Sequence, residues 1–164
     1  MNSRFKPGDY EARHTEPVWR NRADFVIAAD IASSPDRREW EQLWARRIAE
    51  TRFEICCIPF FVYDLALGDE VETDEDHVLR RVVRPSGHFT FRVWFGNSKD
   101  LAHRDRVLDV IQRRGCEHEW SSENLLAIDA STPDMAQAIA DTLAALQQEG
   151  QVMFETGRTS DPVK

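Results

Sequence analysis

In the stretch Phe89-Thr90-Phe91-Arg92-Val93-Trp94-Phe95, bulky apolar residues fall on every other position, and this decides the fold of the second half of the chain. Side chains alternate across a strand, so Phe89, Phe91, Val93 and Phe95 predict a strand with one face buried. Downstream the period changes. Leu101, Val107, Leu108 and Ile111 recur at helical spacing and stop at Gly115, a residue suited to a left-handed cap. Cys116–Ser121 and Leu125–Ala130 read as two further strands. Thr132-Pro133-Asp134 then supplies a capping hydroxyl, a proline for the first turn and an acid near the positive helix end. Met135, Ile139, Leu143 and Leu146 line the inner face of that helix, Gly150 closes it, and Val152–Glu155 forms a last strand. The order βαββαβ predicts a ferredoxin-like sandwich over residues 88–157.

Working back from Phe89, Arg84-Pro85-Ser86-Gly87 marks a boundary, and residues 23–87 read as short strands. Phe25–Ala29, Glu41–Ile48 and Arg52–Ile58 are the first three, the last stopped by Pro59, which brings no N–H to a ladder. A glycine turn at Leu67-Gly68-Asp69 feeds a fourth through Glu72, and His77–Val83 is a fifth, with Thr73–Asp76 as the hairpin tip between them. Such spacing predicts a small curled sheet or barrel. Residues 1–22 are polar, hold Pro7, Gly8 and Pro17 without periodicity, and are expected to form a flexible arm, with 158–164 a flexible tail. The expected class is α+β.

Charge and composition narrow the function. With 29 acidic and 21 basic side chains the net charge is −8, which repels a phosphate backbone and favours basic partners. The longest weakly charged apolar run, Ile55–Tyr63, is too short to cross a bilayer. The N-terminus mixes Arg4, Lys6, Asp9, Glu11 and Arg13 with no apolar core behind them, unlike a secretory signal. Cys56, Cys57 and Cys116 are odd in number, so reduced thiols in a cytoplasmic protein are expected.

Trp40-Glu41-Gln42-Leu43-Trp44-Ala45-Arg46-Arg47, Ile58-Pro59-Phe60-Phe61, Leu67-Gly68-Asp69-Glu70-Val71, Arg84-Pro85-Ser86-Gly87-His88 and Phe91-Arg92-Val93 occur in that order. Taken together over residues 25–155, they resemble the bacterial domain of unknown function 4265 family. The resemblance implies a bacterial cytoplasmic protein with the Ile58-Pro59-Phe60 and Pro85–His88 segments as hallmarks, and it implies no catalytic residue.

Ser86 and His88 share a glycine-containing turn, yet a nucleophile also needs an oriented base and an oxyanion hole, and no Gly-x-Ser-x-Gly elbow is present. Cys116, His118 and Trp120 fall on one strand face, which either packs under a helix or lines a partly exposed sheet surface, while Glu117 and Glu119 are expected to meet solvent on the other. Zinc wants four ligands, and no Cys-x-x-Cys spacing supplies the remainder, so neither metal nor cofactor is expected. Glycine loops for phosphate are absent. Aromatics at Trp40, Trp44, Phe53, Phe60, Phe61, Tyr63 and Trp94 could stack on bases, but the acidic charge disfavours nucleic acid, and they read as core or interface.

Asp69, Glu70, Glu72, Asp74, Glu75 and Asp76 form the densest acidic tract and are expected to meet a basic partner. The leading expectation is a non-catalytic binding protein, in its most concrete version an immunity-type protein neutralising a basic bacterial toxin. The second is a regulatory module that binds a ligand or nucleic acid in a junction cleft beside Pro59, Phe60, Tyr63, Ser86 and His88. An enzyme with its site at that junction is the third. No membrane is expected, and a free strand edge leaves homo-oligomers open.

Overall fold

One eleven-residue strand, β3 (Glu39–Ala49), organises the first half of the protein by serving three neighbours. Its first residues pair in parallel with β1 (Tyr10–Ala12), its middle pairs antiparallel with β2 (Phe25–Asp30), and its end pairs antiparallel with β4 (Arg52–Ile55). The sheet continues through β5 (Glu70–Thr73) and β6 (Leu79–Arg84). A parallel bridge between Ala28 and Val78 brings β2 to the start of β6 and curls the sheet on itself. Ile27, Leu43, Ala45, Phe53, Ile55 and Val71 fill the interior of the curl. The computed structural model describes residues 9–97 and 102–158, so the first eight residues of the arm, Leu101 of the expected helix and the tail beyond Arg158 lie outside the described residues.

The second sheet holds β7 (Phe89–Trp94), β8 (Glu117–Trp120), β9 (Leu125–Ala130) and β10 (Met153–Thr156) in the order β10-β7-β9-β8, every pair antiparallel. Between them run α1 (Ala102–Arg113) and α2 (Pro133–Gln148). The signals read from sequence operate as chemistry requires. Thr132 Oγ1 accepts the Met135 N–H at 3.2 Å, with Pro133 opening the helix. Gly115 sits at φ 71°, where the Cys116 N–H returns to the Ile111 carbonyl at 2.9 Å and ends α1. Phe91, Val93, Leu126, Ile128 and Ala130 pack with Val107, Ile111, Ile139 and Leu143 beneath the helices. Cys116 lies in this core and Trp120 packs against it. The fold is thus a mixed α/β arrangement of two sheets and two helices.

The opposite face of the second sheet is buried too. Thr90, Arg92, Glu119 and Asp129 alternate with the apolar positions and are all shielded from water. They are covered by the segment that follows β4: Ile58, Phe60 and Ala127 form a small apolar cluster, with Val18 and Phe61 against it. Glu119 therefore does not meet solvent as its strand parity suggested, because the first sheet supplies a second layer there.

Residues 9–22 also depart from the expected flexible arm. β1 is a sheet strand, His14 is buried, and the Trp19 N–H bonds the Cys56 carbonyl at 3.1 Å. Among the described residues, no helix is long and apolar enough to cross a membrane.

Candidate functional site

Two histidine–carboxylate arrangements lie where the sheets meet. At the first, His14 Nε2–H donates to Glu41 Oε1 and Nδ1–H to Glu119 Oε1, both at 2.8 Å. An ionised carboxylate only accepts, so a ring held between two of them carries both protons and is an imidazolium. Burial alone pulls the His14 pKa down, but neighbouring Cys57 and the hydrogen bonds to Glu119 and Glu41 push it up to about 12. Phe60 stacks on the ring with centroids 3.9 Å apart and planes 9° from parallel.

The two carboxylates are further satisfied by main chain. Glu41 accepts the N–H groups of Phe60, Phe61 and Val62 at 2.6, 2.9 and 3.0 Å, and Glu119 accepts that of Ile58. Pro59, the residue in the middle of this run, has no N–H to satisfy. The Ile58-Pro59-Phe60 sequence thereby wraps two buried acids and leaves no donor over. With His14 and Glu41 side chains fully enclosed, this cluster joins the segment after β1 to β3 and β8 and offers no access to a ligand.

The second arrangement is open. His88 Nδ1 lies 2.8 Å from Asp129 Oδ2 and 3.0 Å from Oδ1, and Trp19 meets the imidazole edge-on at a centroid distance of 6.1 Å. Asp129 is buried, and desolvation outweighs the attraction of His88 to raise its pKa from 3.8 to about 6. His88 lines a cleft of about 230 Å³ together with Asp64, Leu65, Asp69, Phe89 and Arg158. The turn before it is tightly built. Ser86 Oγ donates to the Leu67 carbonyl at 2.7 Å and accepts the His88 N–H at 3.2 Å, while Asp69 accepts the N–H groups of Ser86 and Ala66 at 2.7 and 2.9 Å. At Gly68, φ 83° is a backbone conformation that strains any side chain, and a Cβ would press to 3.1 Å from Ser86 and 3.2 Å from Trp19.

Of the five residues expected at a junction cleft, His88 alone lines it. Ser86 shapes the turn behind it, and Pro59 and Phe60 belong to the closed His14 cluster. Tyr63 is exposed elsewhere, with its hydroxyl on Glu155 at 2.8 Å and the Arg92 guanidinium 4.9 Å from its ring centroid. The thiols are poor nucleophiles: burial raises the pKa of Cys57 and of Cys116, and burial together with Glu54 pushes Cys56 up to about 12. No group of three His, Cys, Asp or Glu side chains among the described residues is arranged to hold a metal ion.

The acidic tract is for the most part spoken for. Glu70 pairs with Arg84, Glu72 with Arg81 at 3.1 Å and Arg52 at 3.8 Å, and Asp74 with Arg80 at 2.7 Å. Asp69 is buried within the turn, which leaves Glu75 and Asp76 as its exposed members.

A family model described as a domain of unknown function, DUF4265, matches residues 41–154. The chain belongs to this family. The DUF4265 match takes in Glu41, Glu119, His88 and Asp129, whereas His14 and Arg158 fall outside it. Among curated proteins none matches. The fold is similar to that of a hypothetical protein from Neisseria gonorrhoeae, with a TM-score of 0.67 at 15% identity, covering 85% of this chain and 99% of that one.

Sequence reasoning missed His14, Glu41, Glu119 and Asp129. Asp129 carried a usable signal: it is a lone acid in Leu125–Ala130, where all the remaining residues are apolar. Such a run predicts burial on both faces, and a buried acid requires a partner.

Proposed function

We propose that this DUF4265 member is a non-catalytic binding protein whose site is the cleft between its two sheets. The observation that carries this reading is the cleft of about 230 Å³ at which a buried carboxylate, Asp129, orients the partly buried His88 between the apolar Leu65, Val82 and Phe89 and the charged Asp64, Asp69 and Arg158. A concave site with few polar groups fixed in direction is the ordinary form of a small-ligand pocket. The size suits one small molecule or a single side chain of a partner. The strand order β10-β7-β9-β8 also supports a ferredoxin-like second half, which sets Thr90, Arg92 and Asp129 on the sheet face turned to this junction.

Binding is favoured over catalysis by what surrounds the imidazole. The Ser86 hydroxyl donates to a carbonyl, and none of the three cysteines lines the cleft. Binding by the acidic tip is less favoured, because Glu70, Glu72 and Asp74 are already paired with arginine. That shifts a basic toxin, or any other cationic partner, from the tip to the cleft.

A protein-observed NMR screen of neutral, anionic and cationic fragments against the 15N-labelled protein tests the site. Shifts clustered at residues 64–66 and 85–90, abolished by His88→Ala, are expected. Binders that perturb only other residues, or a screen with no binder, would remove the cleft as the site.

A further inference from the structure

The cleft already holds a guanidinium supplied by the chain itself. Arg158 lines it, with its Cζ 5.2 Å from the centroid of the Phe89 ring, which forms part of the wall. This placement is built in by the residue before it. Gly157 donates its N–H to the Thr90 carbonyl at 2.8 Å and accepts the Asp64 N–H at 2.7 Å. A Cβ at Gly157 would come within 2.9 Å of the Thr90 side chain, so only glycine lets the chain run this close to β7 and deliver Arg158 to the cleft.

The charges around Arg158 are those a cation selects. Asp64 and Asp69 line the same cleft, and Asp129 lies directly behind His88. Asp69 is fixed by two main-chain N–H groups and cannot swing away. Three carboxylates, an aromatic face and one imidazole make a surround that attracts positive charge, within a chain of net charge −8.

Resting on the cleft reading, we propose that the ligand presents a guanidinium or alkylammonium group and that Arg158 is its resident stand-in, displaced when the ligand enters. Arg158 thereby sets a threshold, since an incoming cation must compete with one tethered beside the site. The group belongs either to a free amine or to an arginine or lysine side chain of a protein partner.

The test uses agmatine, the peptide acetyl-Gly-Arg-Gly-amide and, as anionic controls, acetate and succinate. Each is titrated at low salt into the wild-type protein and into Arg158→Ala and Asp64→Asn variants, with affinity read by NMR at residues 64–66 and 85–90. Loss of the competing cation–π contact is expected to tighten both cationic probes roughly fivefold in Arg158→Ala. Asp64→Asn is expected to weaken them, and because Asp64 lies at φ 58°, asparagine keeps a backbone conformation it tolerates well. Tighter binding of the peptide assigns the group to a protein partner, and tighter binding of agmatine assigns it to a free amine. Anions binding the same residues more tightly than the cations would overturn the cationic class while the cleft stands, and cationic affinity unchanged or weakened in Arg158→Ala would overturn Arg158 as the stand-in. If neither charged class shifts these residues but neutral fragments do, the class is again overturned. Silence from every probe in all three proteins would overturn the class and the cleft together.

Discussion

The His14 cluster and the His88 pair use the same side-chain chemistry within one inter-sheet junction, and they differ in completeness. At His14 both ring nitrogens are bonded, and between them the two carboxylates collect four main-chain N–H groups. At His88 the buried carboxylate holds Nδ1 alone, and the ring borders a cavity. A buried ion that is fully bonded is committed to the fold. One satisfied on a single side keeps a valence for something else. The contrast teaches that a perturbed histidine is not by itself a functional site, and that access separates the two roles.

The sharpest way to break this comparison is at His14. His14→Ala removes the cation from between two buried carboxylates, and breaking such a cluster from one side is expected to cost about 3–5 kcal/mol. Denaturant unfolding measures it, and a loss below about 1 kcal/mol would show the cluster to be a weak contact. The pH dependence has a defined sign. Folded His14 keeps its proton up to about 12, whereas the free imidazole loses it near 6.5. The folded state binds that proton more tightly, so the contribution is complete below pH 6.5 and is lost as pH rises toward 12. The stability gap between wild type and His14→Gln should accordingly narrow over that interval.

The part of this junction that could be read from sequence was set by period. Phe89–Phe95 and the run from Met135 to Leu146 carry alternating and helical patterns strong enough to place β7 and α2. His14 had no such support, since it stands in a polar stretch and meets partners 27 and 105 residues away. Glu119 shows a different limit. Alternation correctly placed it opposite the helix-facing residues, but parity cannot distinguish water from a second protein layer. The Pro85–His88 turn was legible as a junction because of its proline and glycine, while Asp129, which gives His88 its direction, comes from a distant strand.

A smaller effect is expected where the site is open. His88→Ala leaves Asp129 buried without its partner, and since the acid can take up a proton, the cost should be about 1–3 kcal/mol. Differential unfolding against wild type at neutral pH reads this, and a cost equal to that of His14→Ala would erase the distinction between the two sites. Asp129 itself also gives a signed pH effect. Its folded pKa, about 6, lies above the ordinary 3.8. The folded state therefore holds the proton more tightly, and stability that is complete below pH 3.8 is lost as pH rises to 6. Unfolding of wild type relative to Asp129→Asn should show this loss across pH 4–6, and a constant difference would mean that Asp129 titrates normally.

The smallest effect belongs to the surface, where ion pairs are numerous and open on every side. Across β4, β5 and β6 the register sets Arg52 opposite Glu72 and Glu72 opposite Arg81, and the side chains pair at 3.8 and 3.1 Å. The two arginines and, in part, Glu72 stay open to water, so forming the pair releases little free energy and salt screens what remains. Glu72→Ala should lower stability by less than about 1 kcal/mol, with the difference fading in high salt. A cost near that of His14→Ala would mean that the Arg–Glu ladder, and not the closed cluster, holds the first sheet in register. The expected ordering His14, His88, Glu72 thus follows enclosure: the same opposite charges matter more to the fold as water is removed from around them.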